Sequence, residues 1–213
     1  MASRENGAVI ALGETSGVHD DRRQLLLALL GDVRGQRVLD LGCGDALLTA
    51  EVLRRGCARY LGLSQDPAAA LPDGAELQVT DLNRWSGLSP GQVVDVATSV
   101  EFPRLVPNLP RTLETLRHHL APHGRFAFVV EHPIATASAS GRTPVTGYFR
   151  ETTTGMRGRG DGDGRDHRSL ETYFSELHFC GFQVEEFSEG APRSGAAGTD
   201  LPRWAMFGCS RTT

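Results

Sequence analysis

Residues 36–47, Gln-Arg-Val-Leu-Asp-Leu-Gly-Cys-Gly-Asp-Ala-Leu, constrain the fold of this chain more than any other stretch. Val38-Leu39-Asp40-Leu41 is an apolar run of strand length, and it enters Gly42-Cys43-Gly44 directly. Leu47, Leu48, Val52 and Leu53 then recur at helical spacing. A strand, a glycine turn and a helix in that order build a pocket for a small polar ligand. The glycines let backbone approach the ligand, and the helix start offers free N–H groups and a partial positive charge. Asp40 and Asp45 place carboxylates at the mouth of the turn. They repel a phosphate and attract hydroxyls or an ammonium. The spacing is Gly-x-Gly-x-Ala, which differs from the longer Gly-x-Gly-x-x-Gly of dinucleotide sites.

The rest of the chain repeats the alternation. Strands are expected at 36–41, 60–63, 76–79, 93–99, 125–130, 181–187 and 203–209, and helices at 22–30, 45–55, 109–120 and 170–179. Gly56 is placed to end the second helix, Pro110 to open the third, and Pro122-His123-Gly124 to turn. This order predicts an α/β, doubly wound, Rossmann-like domain spanning 1–213 around a parallel sheet. Ligands of such sheets bind beyond the carboxyl ends of the strands. Asp40, Ser64, Asp81, Ser99, Glu101, Glu131 and His132 collect at that edge. A pocket bounded by Asp40, Gly42, Asp45, Ser64, Asp81 and Ser99 is the expectation. Residues 1–20 are expected to form an arm or loose lid. Residues 136–166, rich in Ser, Thr, Gly and Arg around a Gly147-Tyr148-Phe149 island, form an expected lid insertion over the same edge.

Composition narrows the function. The 213 residues suffice for one full core, and the net charge of -4 gives nucleic acid no electrostatic footing. All 22 basic residues are arginine. No apolar run approaches the ~20 residues that cross a bilayer, and no signal-peptide core follows the first residues. Cys43, Cys57, Cys180 and Cys209 have neither disulfide-framework nor zinc-site spacing. A cytoplasmic protein with free thiols, no metal and a small-molecule substrate is expected, with homo- or hetero-oligomerisation left open.

Val38-Leu39-Asp40-Leu41-Gly42-Cys43-Gly44-Asp45 resembles the first motif of the class I S-adenosylmethionine (SAM) dependent methyltransferases, and the resemblance extends over about residues 22–209. It implies a seven-stranded sheet whose last strand runs antiparallel. It implies that Asp40, Gly42, Gly44 and Asp45 hold the methionine end of SAM, and that Asp81-Leu82 faces the adenine. Ser99 and Glu101 would line the methyl-transfer site. Val129 to Ile134, Tyr148-Phe149 and His167-Arg168-Ser169 resemble elements of one bacterial subgroup, most members of which have no assigned substrate, so that this match names a fold better than a reaction. A small-molecule reaction of secondary metabolism, antibiotic biosynthesis included, is the expectation. Glu101, Glu131, His132 and His167 are the acid/base candidates.

Three departures stand out. Ser64 occupies the position where the family has an acidic residue gripping the ribose hydroxyls. The helix after the second strand is cut to about one turn at 67–71. Few residues precede the first strand. A SAM-dependent methyltransferase is the first reading. The alternatives are a SAM-independent reaction in the same pocket, such as intramolecular ring closure with loss of a leaving group, and a non-catalytic partner subunit.

Overall fold

The computed structural model describes residues 16–100, 106, 108–137, 147–151, 167–190 and 201–213. Seven strands form one sheet: β1 (Arg37–Leu41), β2 (Arg59–Ser64), β3 (Ala75–Val79), β4 (Val94–Val100), β5 (Leu120–Glu131), β6 (Phe182–Gly190) and β7 (Trp204–Arg211). Their order is β3-β2-β1-β4-β5-β7-β6. β7 runs antiparallel to both neighbours, and the other pairs are parallel. The expected architecture is therefore the observed one. The strand order reverses between β1 and β4, and that switch point places the glycine turn at the centre of the carboxyl edge.

Five helices are described: α1 (Ser16–Leu30), α2 (Ala46–Arg54), α3 (Leu109–His119), α4 (Pro133–Ala137) and α5 (Leu170–Phe179). Each of the longer ones after α1 begins on a capping side chain: Asp45, Asn108 and Ser169 accept N–H groups of the first turn. Gly56, at φ +82°, ends α2 as expected. Two apolar layers sandwich the sheet. Leu26, Leu30, Leu48, Val52, Val38 and Val96 bring α1 and α2 onto one face. Leu109, Leu113, Tyr173, Leu177, Leu39 and Phe126 bring α3 and α5 onto the other.

Four local expectations are corrected. Residues 16–20, expected in an arm, belong to α1. Strand β5 begins at Leu120 and passes through the Pro122-His123-Gly124 segment, where His123 takes φ +58°. α4 was not expected; it is a five-residue helix started by His132, whose carbonyl accepts the Ala135 and Thr136 N–H groups. Residues 65–74 between β2 and β3 contain turns and no helix at all. Pro67 and Pro72 punctuate that segment, and Asp66 closes a side-chain turn onto the Ala68 N–H at 2.8 Å.

Gly62 of β2 is fixed by packing. A Cβ there would lie 2.5 Å from Cys43 Sγ and 2.8 Å from Cys43 Cβ. The glycine turn thus seats its one side chain in the space that Gly62 leaves. Gly62→Ala should lower stability by about 1–3 kcal/mol through overpacking. Adding Cys43→Gly should restore most of the loss, as read by thermal melts of the single and double variants; a double variant no more stable than Gly62→Ala would contradict this packing.

Candidate functional site

The turn is held from two sides. Gly42, at φ +86°, and Cys43 both donate their N–H groups to the Leu63 carbonyl, each at 2.9 Å. From β4, fully buried Ser99 donates its hydroxyl to the Leu41 carbonyl at 2.5 Å. The last backbone acceptor of β1 is thereby satisfied just where the chain leaves the sheet. Asp45 follows as the N-cap of α2: its Oδ1 accepts from Leu47 N and Leu48 N at 3.0 Å each. Its Oδ2 accepts from Arg23 of α1 at 3.2 Å. Sequence reasoning missed Arg23, because nothing in α1's leucine pattern marks which arginine reaches across.

Below the turn lies a buried carboxylate. Asp40 is 2 % exposed, and Tyr60 of β2 lies 2.6 Å from its Oδ2. Tyr60 in turn contacts Thr49 of α2 at 3.0 Å. Asp40 Oδ1 has no hydrogen-bond partner among the described residues, nor has Thr98 Oγ1, its neighbour in the β1–β4 register. Burial pushes the Asp40 carboxyl up to about 7, against the opposing hydrogen bond from Tyr60 and with a further push from Asp45. Burial, with the Asp40 charge behind it, also pushes the Cys43 thiol up to about 12. That thiol is a filler without thiolate character.

On the β2–β3 side, Ser64 Oγ accepts the Asp66 N–H at 3.0 Å, and the hydroxyl hydrogen remains to be offered elsewhere. Asp81, exposed, accepts from Asn83 N at 2.9 Å and Gln65 Nε2 at 3.3 Å. The Leu82 side chain is buried in the core beneath, so what Leu82 can present to a ligand is backbone. Glu101 lies outside the described residues, as do 138–146 and 152–166 of the expected lid.

On the β5 side the histidines are committed to structure. His132, 1 % exposed, accepts the Ile134 N–H on Nδ1 at 3.1 Å. That leaves Nε2 as the protonated nitrogen, donating to Glu189 of β6 at 2.6 Å. His167 donates from Nε2 to the Tyr148 carbonyl at 2.7 Å and meets Thr136 Oγ1 through Nδ1 at 2.6 Å. The Tyr148-Phe149 island is docked by the same group of contacts. Tyr148 Oη accepts Leu170 N at 3.2 Å, and Glu151 accepts Ser169 N at 2.8 Å and Ser169 Oγ at 2.7 Å, with Thr172 as a third donor. Burial raises the Glu151 carboxyl, but the Thr172 and Ser169 hydrogen bonds at the start of α5 outweigh it and hold the group low. Glu131 ends β5 opposite Trp204.

Two recesses enclosed by described residues, about 240 and 350 Å³, open at the amino ends of the strands, around Arg59 and Leu88 and around Asp95 and Arg125. None of the expected site residues lines them. After β4 the chain continues into 101–105, which lie outside the described residues. Among the described residues no group of three His, Cys, Asp or Glu is placed to hold a metal ion.

SAM presents an ammonium and a carboxylate at one end and a ribose diol with adenine at the other. The methionine end fits: Asp40 Oδ1 is a buried acceptor without a donor, and a Cβ on Gly44 would meet no atom within 4 Å. The ribose end offers the single Ser64 hydroxyl where the family motif has a carboxylate.

A family model described as a methyltransferase domain matches residues 17–180, and the chain belongs to the class I SAM-dependent methyltransferase family. The crystal structure of a SAM-dependent methyltransferase from Mesorhizobium loti superposes with a TM-score of 0.75 at 27% identity, over 88% of this chain and 96% of that one. A curated Haemophilus influenzae protein described as uncharacterized is 27% identical over 84% of this chain and 77% of its own length. The ribosomal protein L11 methyltransferase of Stenotrophomonas maltophilia is 35% identical over 47% of this chain, which spans only 34% of that relative.

The buried carboxylate has a pH signature. The unfolded chain ionises Asp40 near pH ~4, the folded protein near 7. Between these values the folded state holds more protons, so this group's contribution to stability falls as pH rises from about 4 to about 7 and is flat above. Asp40→Asn should therefore gain on the wild type at pH 8 relative to pH 4, by up to about 4 kcal/mol at 1.36 kcal/mol per pH unit. Denaturant melts across that range check it; a variant-to-wild-type difference independent of pH would contradict it.

Proposed function

We propose that this chain methylates a small molecule of secondary metabolism, with the methionine end of SAM lying over Gly42–Gly44. The observation that carries the reading is Asp40: a carboxylate under a glycine turn, one oxygen held by Tyr60 and the other without a donor. When bound, SAM supplies a methyl group activated on a sulfonium, so the protein's part is positioning and proton handling. Asp40 and the Gly42–Gly44 backbone orient the amino-acid end. Arg23 keeps Asp45 turned towards α1, so that Asp45 completes the turn as cap and as wall of the cofactor site. Ser64 donates to the ribose, and Asp81 with the Leu82 backbone faces the adenine.

On the acceptor side, Ser99 sets the floor while Glu101 and Glu131 flank the reacting atom and take its proton. His132 and His167, with both ring nitrogens engaged, brace that edge and seat the Tyr148-Phe149 island as a wall of the acceptor site. The lid insertion expected at 136–166 is assigned the role of cover in this reading. The similarity to the L11 methyltransferases is confined to about a third of their length and does not bring their protein substrate with it. The negative net charge argues in the same direction against nucleic acid.

One observation favours a second reading, a SAM-independent ring closure in the same pocket. Ser64 stands where a carboxylate would grip the ribose, and its oxygen already accepts the Asp66 N–H. Calorimetric titration with SAM and S-adenosylhomocysteine separates the two. The wild type should bind both. Ser64→Asp should bind them more tightly by about 1 kcal/mol, roughly five-fold, because a second acceptor oxygen is restored for the diol. Absence of binding in both proteins would overturn the methyltransferase reading and leave the cofactor-independent one.

A further inference from the structure

Four oxygens run in line from the floor of the site to the cap of α2: Asp40 Oδ2, Tyr60 Oη, Thr49 Oγ1 and the Asp45 carbonyl. Their successive separations are 2.6, 3.0 and 3.1 Å. All are hydrogen-bond distances, and each contact needs one proton between its two oxygens. Tyr60 and Thr49 bring one hydroxyl proton each, and the carbonyl brings none. With Asp40 ionised, two protons serve three contacts, and one buried pair of oxygens faces each other through lone pairs alone. With Asp40 protonated the line closes: Asp40 donates to Tyr60, Tyr60 to Thr49 and Thr49 to the Asp45 carbonyl. Burial of Asp40 acts in the same direction, since it disfavours the charged form.

Among the described residues, the other groups around Asp40 do not supply a compensating cation. β2 presents Tyr60 and the turn presents Cys43, held as a thiol. α2 presents Asp45, a second negative charge, with Arg23 of α1 bonded to it on its far oxygen. β4 presents Thr98, which carries no charge.

We propose that Asp40 is protonated in the free protein under mildly acidic to neutral conditions, and that docking of the cofactor's ammonium on its Oδ1 expels that proton, so that cofactor binding releases one proton. The inference rests on the cofactor reading above and deepens it. The Asp40 O–H bond breaks, its electron pair stays on the carboxylate, and the proton passes to solvent. Tyr60 then turns its hydroxyl hydrogen onto Oδ2, Thr49 keeps its own on the Asp45 carbonyl, and the Tyr60–Thr49 contact is given up. Thr49 is in this account a positioning residue: it touches no ligand and sets how many protons the line requires.

The test is calorimetric titration of the full chain with S-adenosylhomocysteine at pH 6.5, in two buffers of different ionisation enthalpy. The expected result is an enthalpy that changes with buffer by the amount that release of up to one proton requires. Affinity should weaken roughly ten-fold for each pH unit on the acid side. Asp40→Asn should show no release. Thr49→Val shortens the line to Asp40 and Tyr60, which one proton fills; the pH range of release should move downward, a shift that a merely structural role for Thr49 does not produce. Binding with a buffer-independent enthalpy overturns the inference and leaves the cofactor reading intact. Absence of binding at every pH overturns both. A release range unmoved in folded Thr49→Val overturns the assignment of the proton to this line, and if that variant does not fold, the wild-type buffer comparison decides alone.

Discussion

The Leu63 carbonyl is the point on which the site depends. It accepts two N–H groups, from Gly42 and Cys43, and so bends the end of β1 over β2. Two consecutive donors reach one acceptor only because Gly42 takes φ +86°, which an L side chain rarely adopts. The bend drops the Cys43 side chain against β2, where Gly62 leaves room for it. Ser99 then satisfies the Leu41 carbonyl that the bend releases. Leu41, Gly42, Cys43, Gly62, Leu63 and Ser99 thus fix the direction in which α2 departs, and with it the space above Asp40 and Gly44.

The fold was legible because its signals are periodic and local. The apolar runs at β1, β2, β4 and β5, Pro110 in the first turn of α3, and Gly56 after α2 are all properties of short windows. What sequence did not reveal is what depends on distant partners. His132 and His167 have the spacing and residue type of acid/base groups, yet their nitrogens are engaged by Glu189, 57 residues away, and by Thr136 and Tyr148, 31 and 19 residues away. Tyr60 carries no polar signal in the sequence, since a tyrosine in a buried strand looks apolar. Only the register Val38↔Tyr60 and Asp40↔Gly62 puts its hydroxyl beside the Asp40 carboxyl. α4 escaped notice because five residues are too few for a periodic pattern.

The asymmetry of the site follows from the same geometry. On the β1 side Asp40 is deeply buried, which raises its carboxyl against the opposing hydrogen bond from Tyr60. On the β2–β3 side they are shallow: Asp81 and Asp66 are exposed and spend their oxygens on turns, and no helix covers residues 65–74. A ligand gains most per contact where water is excluded, so under the proposed cofactor reading recognition would be concentrated at the amino-acid end and economical around the ribose. On the β5 side the ring nitrogens of His132 and His167 are spent on Glu189, Ile134, Thr136 and Tyr148.

The central claim is that the space above the turn belongs to a cofactor. Gly44 tests it most directly, because its φ lies outside the left-handed region and a Cβ there meets no atom of the described residues within 4 Å. A Gly44→Val variant should therefore fold with the melting temperature of the wild type while its side chain stands in the cofactor's place. The measurement is the dissociation constant for S-adenosylhomocysteine in wild type and variant. The account predicts loss of at least about 100-fold in affinity, some 2.8 kcal/mol, with stability unchanged; equal affinity in a folded Gly44→Val protein would contradict it.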